Sequence, residues 1–350
     1  MNKYKFKKIA IVTNSDNNYI SYKRRMLPLK RYAANHNVEV VKYEENEKNI
    51  DVIIFSTYPK DLKSLRNIYK RNCILIFDRS DFLGQIFNPN TFIKTYDFFK
   101  NIIKSILRLK IHEHLITRHI INKSNLLILA SEVQASFCVN EFSKPVAVLT
   151  DPINSVEYVK SEIIYNNNKE VRLVWEGTEA SFLQLGTIIN PLKKVYSETK
   201  FKLILLTDVF QKKESIDLFN DLKINLDVDH VIWNVDSFKE TMMKSDIGLS
   251  PIDKTNEFNR SKPFNKLLSY WAFGLTIVCS NIPSYQNIVS KSKGGLLCNS
   301  ESDWIRNIKL LIKDSKIRDE LRINGYNYAW NNHNENKYSA KYLNHINEFF

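Results

Sequence analysis

Glycine is scarce in this sequence, with eight in 350 residues. None falls in GxGxxG or GxxxxGK[ST], which excludes the glycine-rich dinucleotide loop and the Walker-type phosphate loop. Cysteine is rarer still. Its four copies, at 73, 138, 279 and 298, lie far apart with no CxxC pair, so the common zinc and dithiol spacings are absent. Three of them sit in or beside apolar runs and read as small core residues in a reducing compartment. Long hydrophobic runs are missing too. The longest uncharged apolar stretch, Leu267 to Cys279, contains Ser269 and Gly274 and falls short of the roughly 20 residues that cross a bilayer. The opening MNKYKFKKIAIVT has lysines but too small an apolar core for a signal peptide. These absences predict a soluble or peripheral cytoplasmic protein. No Ser/His/Asp or Cys/His signature appears. His112, Glu113, His114 and His119 cluster in sequence, but residues two apart on a helix point to different faces, so they read as surface or packing residues and not as metal ligands.

What is present is positive charge, unevenly spread. Lys and Arg outnumber Asp and Glu by 51 to 38, a net of +13. Residues 1–150 hold 25 of the cations and 13 of the anions; residues 151–350 hold 26 and 25. One half is strongly basic and the other neutral, which suits an anionic partner for the first half, such as a membrane surface or a phosphorylated acceptor.

The apolar period switches repeatedly between strand and helix. KIAIVT (8–13), VEVVKY, DVIIFS, CILIFD (73–78), NLLILA (125–130) and PVAVLT (145–150) read as strands. YISYKRRMLPLKRYAANH and a long stretch from Thr91 to about Asn122 read as helices. Ser131 is the expected N-cap of a further helix with Val133, Phe137 and Val139 inward. The polar, aperiodic stretch 151–170 reads as a linker. The alternation then restarts with VRLVWEG (171–177), KLILLTD (202–208), HVIW (230–233), DIGLSPI (246–252), LTIVCS and GLLC. Helices are expected from Thr178, near 214–223, from Asp236, over 263–273 and near 284–290, and three more close the chain at 302–313, 316–330 and 335–349. Uninterrupted Val/Ile/Leu strands between helices mean parallel sheets covered on both faces. The expected architecture is α/β: a doubly wound Rossmann-like domain over 1–150, a linker, and a second over 171–334, facing across a cleft.

The most informative segment is KPFNKLLSYWAFGLTIVCS, residues 262 to 280. Pro263 suits the first turn of a helix, because it lacks the N–H that would be left over there. The free amides of Phe264, Asn265 and Lys266 would then make an anion site, flanked by Lys262 and Arg260.

This segment, with DIGLSPI before it and GGLLC and ESDWIRNIKLLIKDSKIRDEL after it, resembles the donor half of GT-B glycosyltransferases of the family-four-like kind. VRLVWEGTEASFLQL and VIWNVDSFKETMMKSDIGL resemble its first strand and its nucleobase segment. The resemblance implies two Rossmann-like domains, with the final helix (335–350) packing back on the first. It implies a nucleotide-diphosphate sugar held by the second domain, a glycan or lipid-linked acceptor on the first, and catalysis with neither metal nor cofactor, because helix amides and cations meet the departing diphosphate. Carried onto this sequence, Lys262 and Lys266 are the catalytic cations. Arg260, Ser261, Phe264, Asn265 and Ser269, with Gly177, Thr178 and Trp233, Asn234 and Val235, line the donor, and Asn14 and Asp16 lie on the acceptor side.

The chain departs from that pattern in several places. Ser261 and Ser269 stand where the two glutamates are usual, Glu176, Gly177, Thr178 and Glu179 replace the arginine–lysine stretch after the first strand, and Thr276 replaces a proline. Glu257 is a candidate substitute for a lost glutamate. An inverting enzyme would draw a base from Asp78 or Asp81, at the end of CILIFD, or from Asp16. Asp227, Val228 and Asp229 spell Asp-x-Asp but precede an apolar strand, so they read as a turn. Within 91–122, Lys100, Lys104 and Arg108 share one helical face, which packs as an ordinary amphipathic surface or rests on anionic lipid. The expectation is a retaining, metal-independent hexosyltransferase of surface-glycan synthesis, peripheral on the cytoplasmic membrane. A non-catalytic GT-B-like subunit is the first rival; a nucleic-acid-directed protein and a nucleotide-sugar epimerase rank lower.

Overall fold

The computed structural model describes residues 3–13, 22–57, 59, 61–79, 113–154, 157, 158, 160, 163, 170–255 and 257–350. Asn14, Asp16, Asp81, His112 and the basic face of Lys100, Lys104 and Arg108 lie outside these residues. So do the side chains of Glu113, His114 and Glu257.

The chain forms two compact units: residues 1–152 with 335–350, and residues 153–334. The first runs β1 (Lys8–Val12), α1 (Leu27–Ala34), β2 (Glu39–Lys42), β3 (Val52–Phe55), α2 (Leu62–Tyr69), β4 (Ile74–Arg79), α3 (Glu113–Lys123), β5 (Leu126–Leu129), α4 (Glu132–Phe142) and β6 (Val146–Val148). The second continues with β7 (Arg172–Glu176), α5 (Glu179–Phe182), α6 (Ile189–Glu198), β8 (Lys202–Thr207), α7 (Lys213–Asn225), β9 (Asp227–Ile232), α8 (Val235–Met243), β10 (Ile247–Ser250) and α9 (Glu257–Arg260). It closes with α10 (Asn265–Ala272), β11 (Thr276–Ser280), α11 (Pro283–Ser292), β12 (Gly295–Cys298), α12 (Glu301–Lys313) and α13 (Ser315–Asn332). The last helix, α14 (Glu335–Asn347), belongs to the first unit, where Tyr338, Tyr342, Leu343 and Ile346 join its core.

Both sheets are parallel and six-stranded. The first has the order β2-β1-β3-β4-β5-β6 and the second β12-β11-β10-β7-β8-β9. Counted from its own first strand, the second sheet has the 3-2-1-4-5-6 order of dinucleotide-binding folds, with the strand order reversing between β7 and β10. The strands are apolar on both faces because each face carries its own core. On β7, Val174 packs with α8, α10 and α11, while Leu173 and Trp175 pack with α5, α6 and α12.

Several local expectations are corrected. Helix α10 begins at Asn265 with Phe264 as its N-cap, so Pro263 precedes the helix and does not open it. The Phe264 carbonyl accepts from the Leu267 amide at 3.0 Å and the Leu268 amide at 3.2 Å. Ser131 does cap α4, accepting from the Gln134 amide, yet the buried side is Gln134, Ala135, Cys138 and Phe142, and Val139 is exposed. The turn read at Asp227, Val228 and Asp229 is the start of strand β9, in parallel register with β8. The first unit runs to Pro152, and Ile153 and Tyr158, within the stretch read as a linker, are buried in the second core. Cys138, Cys279 and Cys298 are buried, Cys73 is half-buried, and all four are free.

Candidate active site at the switch point of the second sheet

In an open α/β sheet, ligands bind beyond the carboxyl ends of strands where the strand order reverses. Here those ends are Glu176 on β7 and Ser250 on β10, and Tyr270 of α10 ties them together. Its hydroxyl accepts from the Glu176 amide at 3.1 Å and donates to the Leu249 carbonyl at 3.0 Å. Burial pushes the phenol far up, so it remains a donor. The ring can lie there because Gly248 has no side chain; a Cβ at that position would stand 2.4 Å from a Tyr270 ring carbon. Ser280 fixes the next turn, accepting from the Ile252 amide at 2.8 Å and donating back to the Ile252 carbonyl at 3.1 Å.

Lys266 lies one helical turn before Tyr270 and is directed at this place. Its ammonium sits 4.7 Å from the centre of the Trp175 ring. Burial pulls its pKa down to about 8; Lys262 adds to that shift and Glu176 opposes it. Lys262 is half-buried on the segment leading into α10, where Ser284 Oγ donates to its carbonyl at 2.6 Å. Two cations at the start of α10, one drained of solvation, leave an electrostatic deficit that an anion would fill.

Gly177 follows β7 directly. A Cβ there would meet Ser181 Oγ at 2.6 Å and the Trp175 ring at 2.9 Å, so glycine keeps the strand end narrow. Thr178 is the exposed N-cap residue of α5 and makes no side-chain cap bond. Glu179, in the stretch where an arginine and a lysine were expected, accepts from the Gln211 and Lys212 amides, each at 2.7 Å, and braces the loop after β8. Arg260 is exposed at the end of α9, whereas Ser261 is buried.

Other predicted residues have different roles. Ser269, expected at the ribose, is buried with its hydroxyl 2.7 Å from Tyr158 Oη and donating to the Asn265 carbonyl at 3.2 Å. Asn234 is the N-cap of α8, accepting from the Asp236 and Ser237 amides at 3.0 and 2.8 Å, which commits its side-chain oxygen. Trp233 packs against the second core with Phe238, and Val235 opens α8 half-buried.

Asp78 is no base. In the first unit it is buried at 2.7 Å from the equally buried Arg25 guanidinium and accepts from Tyr342 at 2.8 Å. Arg25 also bonds Asp151 at 2.7 Å and the Leu149 carbonyl at 2.9 Å. Burial pushes the Asp78 carboxyl up against the pull of both partners. Enclosed between Arg25 and α14, it joins strand β4 to the returning helix. His119 stacks edge-on against Tyr69 at 5.3 Å, and among the described residues no group of three His, Cys, Asp or Glu side chains is arranged for a metal.

Trp175, Tyr270 and Tyr158 were not legible as site residues. The i, i+4 spacing of Lys266 and Tyr270 was the available signal for one of them. Tyr158 lies in an aperiodic segment and offered none.

Over nearly its whole length this chain superimposes on solved glycosyltransferase structures. Sucrose-phosphate synthase from Thermosynechococcus elongatus matches with a TM-score of 0.71 at 10% identity, over 98% of this chain and 99% of that one. Anabaena HepE in complex with UDP and glucose matches at 0.65 and 12% identity, over 97% and 99%. WaaG, a glycosyltransferase of lipopolysaccharide biosynthesis, matches at 0.60 and 12% identity, again over 97% and 99%. The chain has the GT-B fold. No family model and no curated protein matches it by sequence. Within the GT-B fold, the switch-point residues described above belong to the second Rossmann-like unit, and the Arg25–Asp78 pair to the first.

Proposed function

We propose that this protein is a glycosyltransferase that transfers a hexose from a nucleotide-diphosphate sugar to a surface-glycan acceptor. The observation that carries the reading is Lys266: a cation with a pKa near 8, at the first turn of α10, beyond the carboxyl end of β7. In this reading the diphosphate sits against the α10 amides, with Lys266 and Lys262 meeting the charge that grows on the leaving phosphate. Lewis-acid help from a metal is then unnecessary. Asp78, held by Arg25 and Tyr342, is poorly placed to act as the base of an inverting displacement; the retaining course rests on the resemblance to the family-four-like kind. The acceptor class rests on the basic first half and on the likeness to WaaG, which acts in lipopolysaccharide biosynthesis; such an acceptor implies work at the cytoplasmic side of a membrane.

Thermal stabilisation by UDP, GDP, CMP and dTDP in metal-free buffer tests the donor site. At 100 times Kd the cognate nucleotide adds about 2.7 kcal/mol of stability, and Lys266→Ala removes about half of that gain or more. A shift of wild-type size in Lys266→Ala would refute the assignment.

A second reading, a non-catalytic subunit, is favoured by the Ser269 hydroxyl being engaged by Tyr158. It predicts no stabilisation by any of the four nucleotides.

A further inference from the structure

The face of the second sheet opposite α10 carries a groove between α6 and α12, with a volume of about 500 Å3. Four cations line it: Lys194 from α6, and Arg306, Lys309 and Lys313 from α12, where spacings of three and four place them on one side of the helix. Two carboxylates answer them. Glu198 pairs with Lys309, and Lys194 and Lys313 also act on it, so its carboxyl lies below the usual range. Asp303 pairs with Arg306 at 2.6 Å. Four cations against two anions leave a local excess of two, in a half of the chain whose total excess is one.

The groove is not purely polar. Ile305 and the exposed Leu310 lie between the cations. Lysine stems are long and flexible and deliver point charges to phosphate, while their methylenes tolerate apolar surroundings. Leu310, partly exposed beside Lys309 and Lys313, gives the groove an apolar edge next to its charge, the combination that suits an interface where phosphates and hydrocarbon meet.

We propose that this groove seats the headgroup phosphate of an anionic phospholipid, so that the second unit has a membrane contact of its own, separate from the donor site and from the basic first half. The phosphate lies among Lys194, Lys309 and Lys313, with Leu310 and Ile305 against the glycerol region.

The test is sedimentation of the full chain with vesicles of mixed phosphatidylglycerol and phosphatidylcholine, against vesicles of phosphatidylcholine alone. Wild type is expected to sediment with the mixed vesicles only. The double variant Lys194→Glu/Lys313→Glu should partition at least about tenfold more weakly, given the contribution of each cation near an anionic surface. Leu310→Ser, which keeps every charge, should weaken binding by a smaller factor, and soluble glycerol phosphate should not displace the protein. Melting temperatures near wild type establish that the variants fold. The proposal is overturned if wild type ignores the mixed vesicles, or if the double variant binds them as wild type does, which would assign the contact to the first half. Unchanged binding by Leu310→Ser, or displacement by glycerol phosphate, would make the groove a soluble-phosphate site instead. None of these readouts involves nucleotide, so failure here leaves the donor-site reading untouched.

Discussion

Two cations, the buried Arg25 of the first unit and the half-buried Lys266 of the second, make opposite arrangements from similar chemistry. Arg25 is enclosed by Asp78, Asp151 and the Leu149 carbonyl, and its ring neighbour is Tyr338 at 5.5 Å. Lys266 faces an indole, with a carboxylate near enough to attract it but not enough to restore its ordinary pKa. A guanidinium is hard to deprotonate and forks to two carboxylates, so it serves as a fixed joint. An ammonium gives up its proton when desolvated, so its charge depends on what comes to meet it. One cation is held by two carboxylates and is structural. The other meets an indole and the field of Glu176 at a strand-order reversal, where an anionic ligand would find it.

The sharpest way to break this contrast is to remove a partner of the saturated cation. Asp78→Ala leaves Arg25 buried with its charge half-answered, and should destabilise the protein by about 3–5 kcal/mol, measured by urea denaturation. A loss under about 1 kcal/mol would mean the pair behaves as a surface bridge. Lys266→Ala should do the reverse in the free protein: stability holds or rises, because a desolvated charge is gone, while nucleotide-diphosphate affinity falls by about 1.5–3 kcal/mol, read by calorimetry. Loss of both stability and binding would show that Lys266, too, is structural.

The pH dependence sharpens the same point. The folded pKa of Lys266, about 8, lies below its ordinary 10.5. Between those values the unfolded chain binds more protons than the folded one, so this residue makes stability rise with pH across that window. Diphosphate binding needs the charged form. Affinity should therefore be flat from pH 7 downward to the phosphate's own titration, about pH 6, and decline above about 8, by up to roughly tenfold per pH unit. Above that point the wild-type affinity should fall towards that of Lys266→Ala, whose own affinity lacks this decline. The smallest expected effect belongs to Tyr158→Phe, which removes a hydroxyl from Ser269 and should cost about 0.5–1.5 kcal/mol in thermal unfolding. If nucleotide affinity rises in that variant, Ser269 reaches the donor once released.

Most of the strands were readable because each is a short run of Val, Ile and Leu between helical periods, and a parallel strand buried on both faces needs that pattern. Errors fell where period is weak. Strand β9 is half-exposed and starts with Asp227 and Asp229, so it resembled a turn. Pro263 favoured an earlier start for α10 than tertiary packing gives, because Phe264 and not Pro263 supplies the capping carbonyl. That Lys262 and Lys266 lie at the start of α10 is legible from their spacing. The partners of Asp78 are not, because strand-end carboxylates look alike in sequence whether they meet solvent or Arg25, 53 positions away in the chain.

The sequence alone determined the layering: which segments are strands, which are helices, and that two doubly wound units follow one another. Period and apolar content are local quantities, and they are enough for that. Strand order, and with it the meeting of Glu176, Tyr270 and Leu249 at one switch point, was decided by tertiary structure. So were the partners of each charge. A lysine and an arginine acquire their roles from the groups that surround them after folding, and those groups arrive from positions that no local pattern connects.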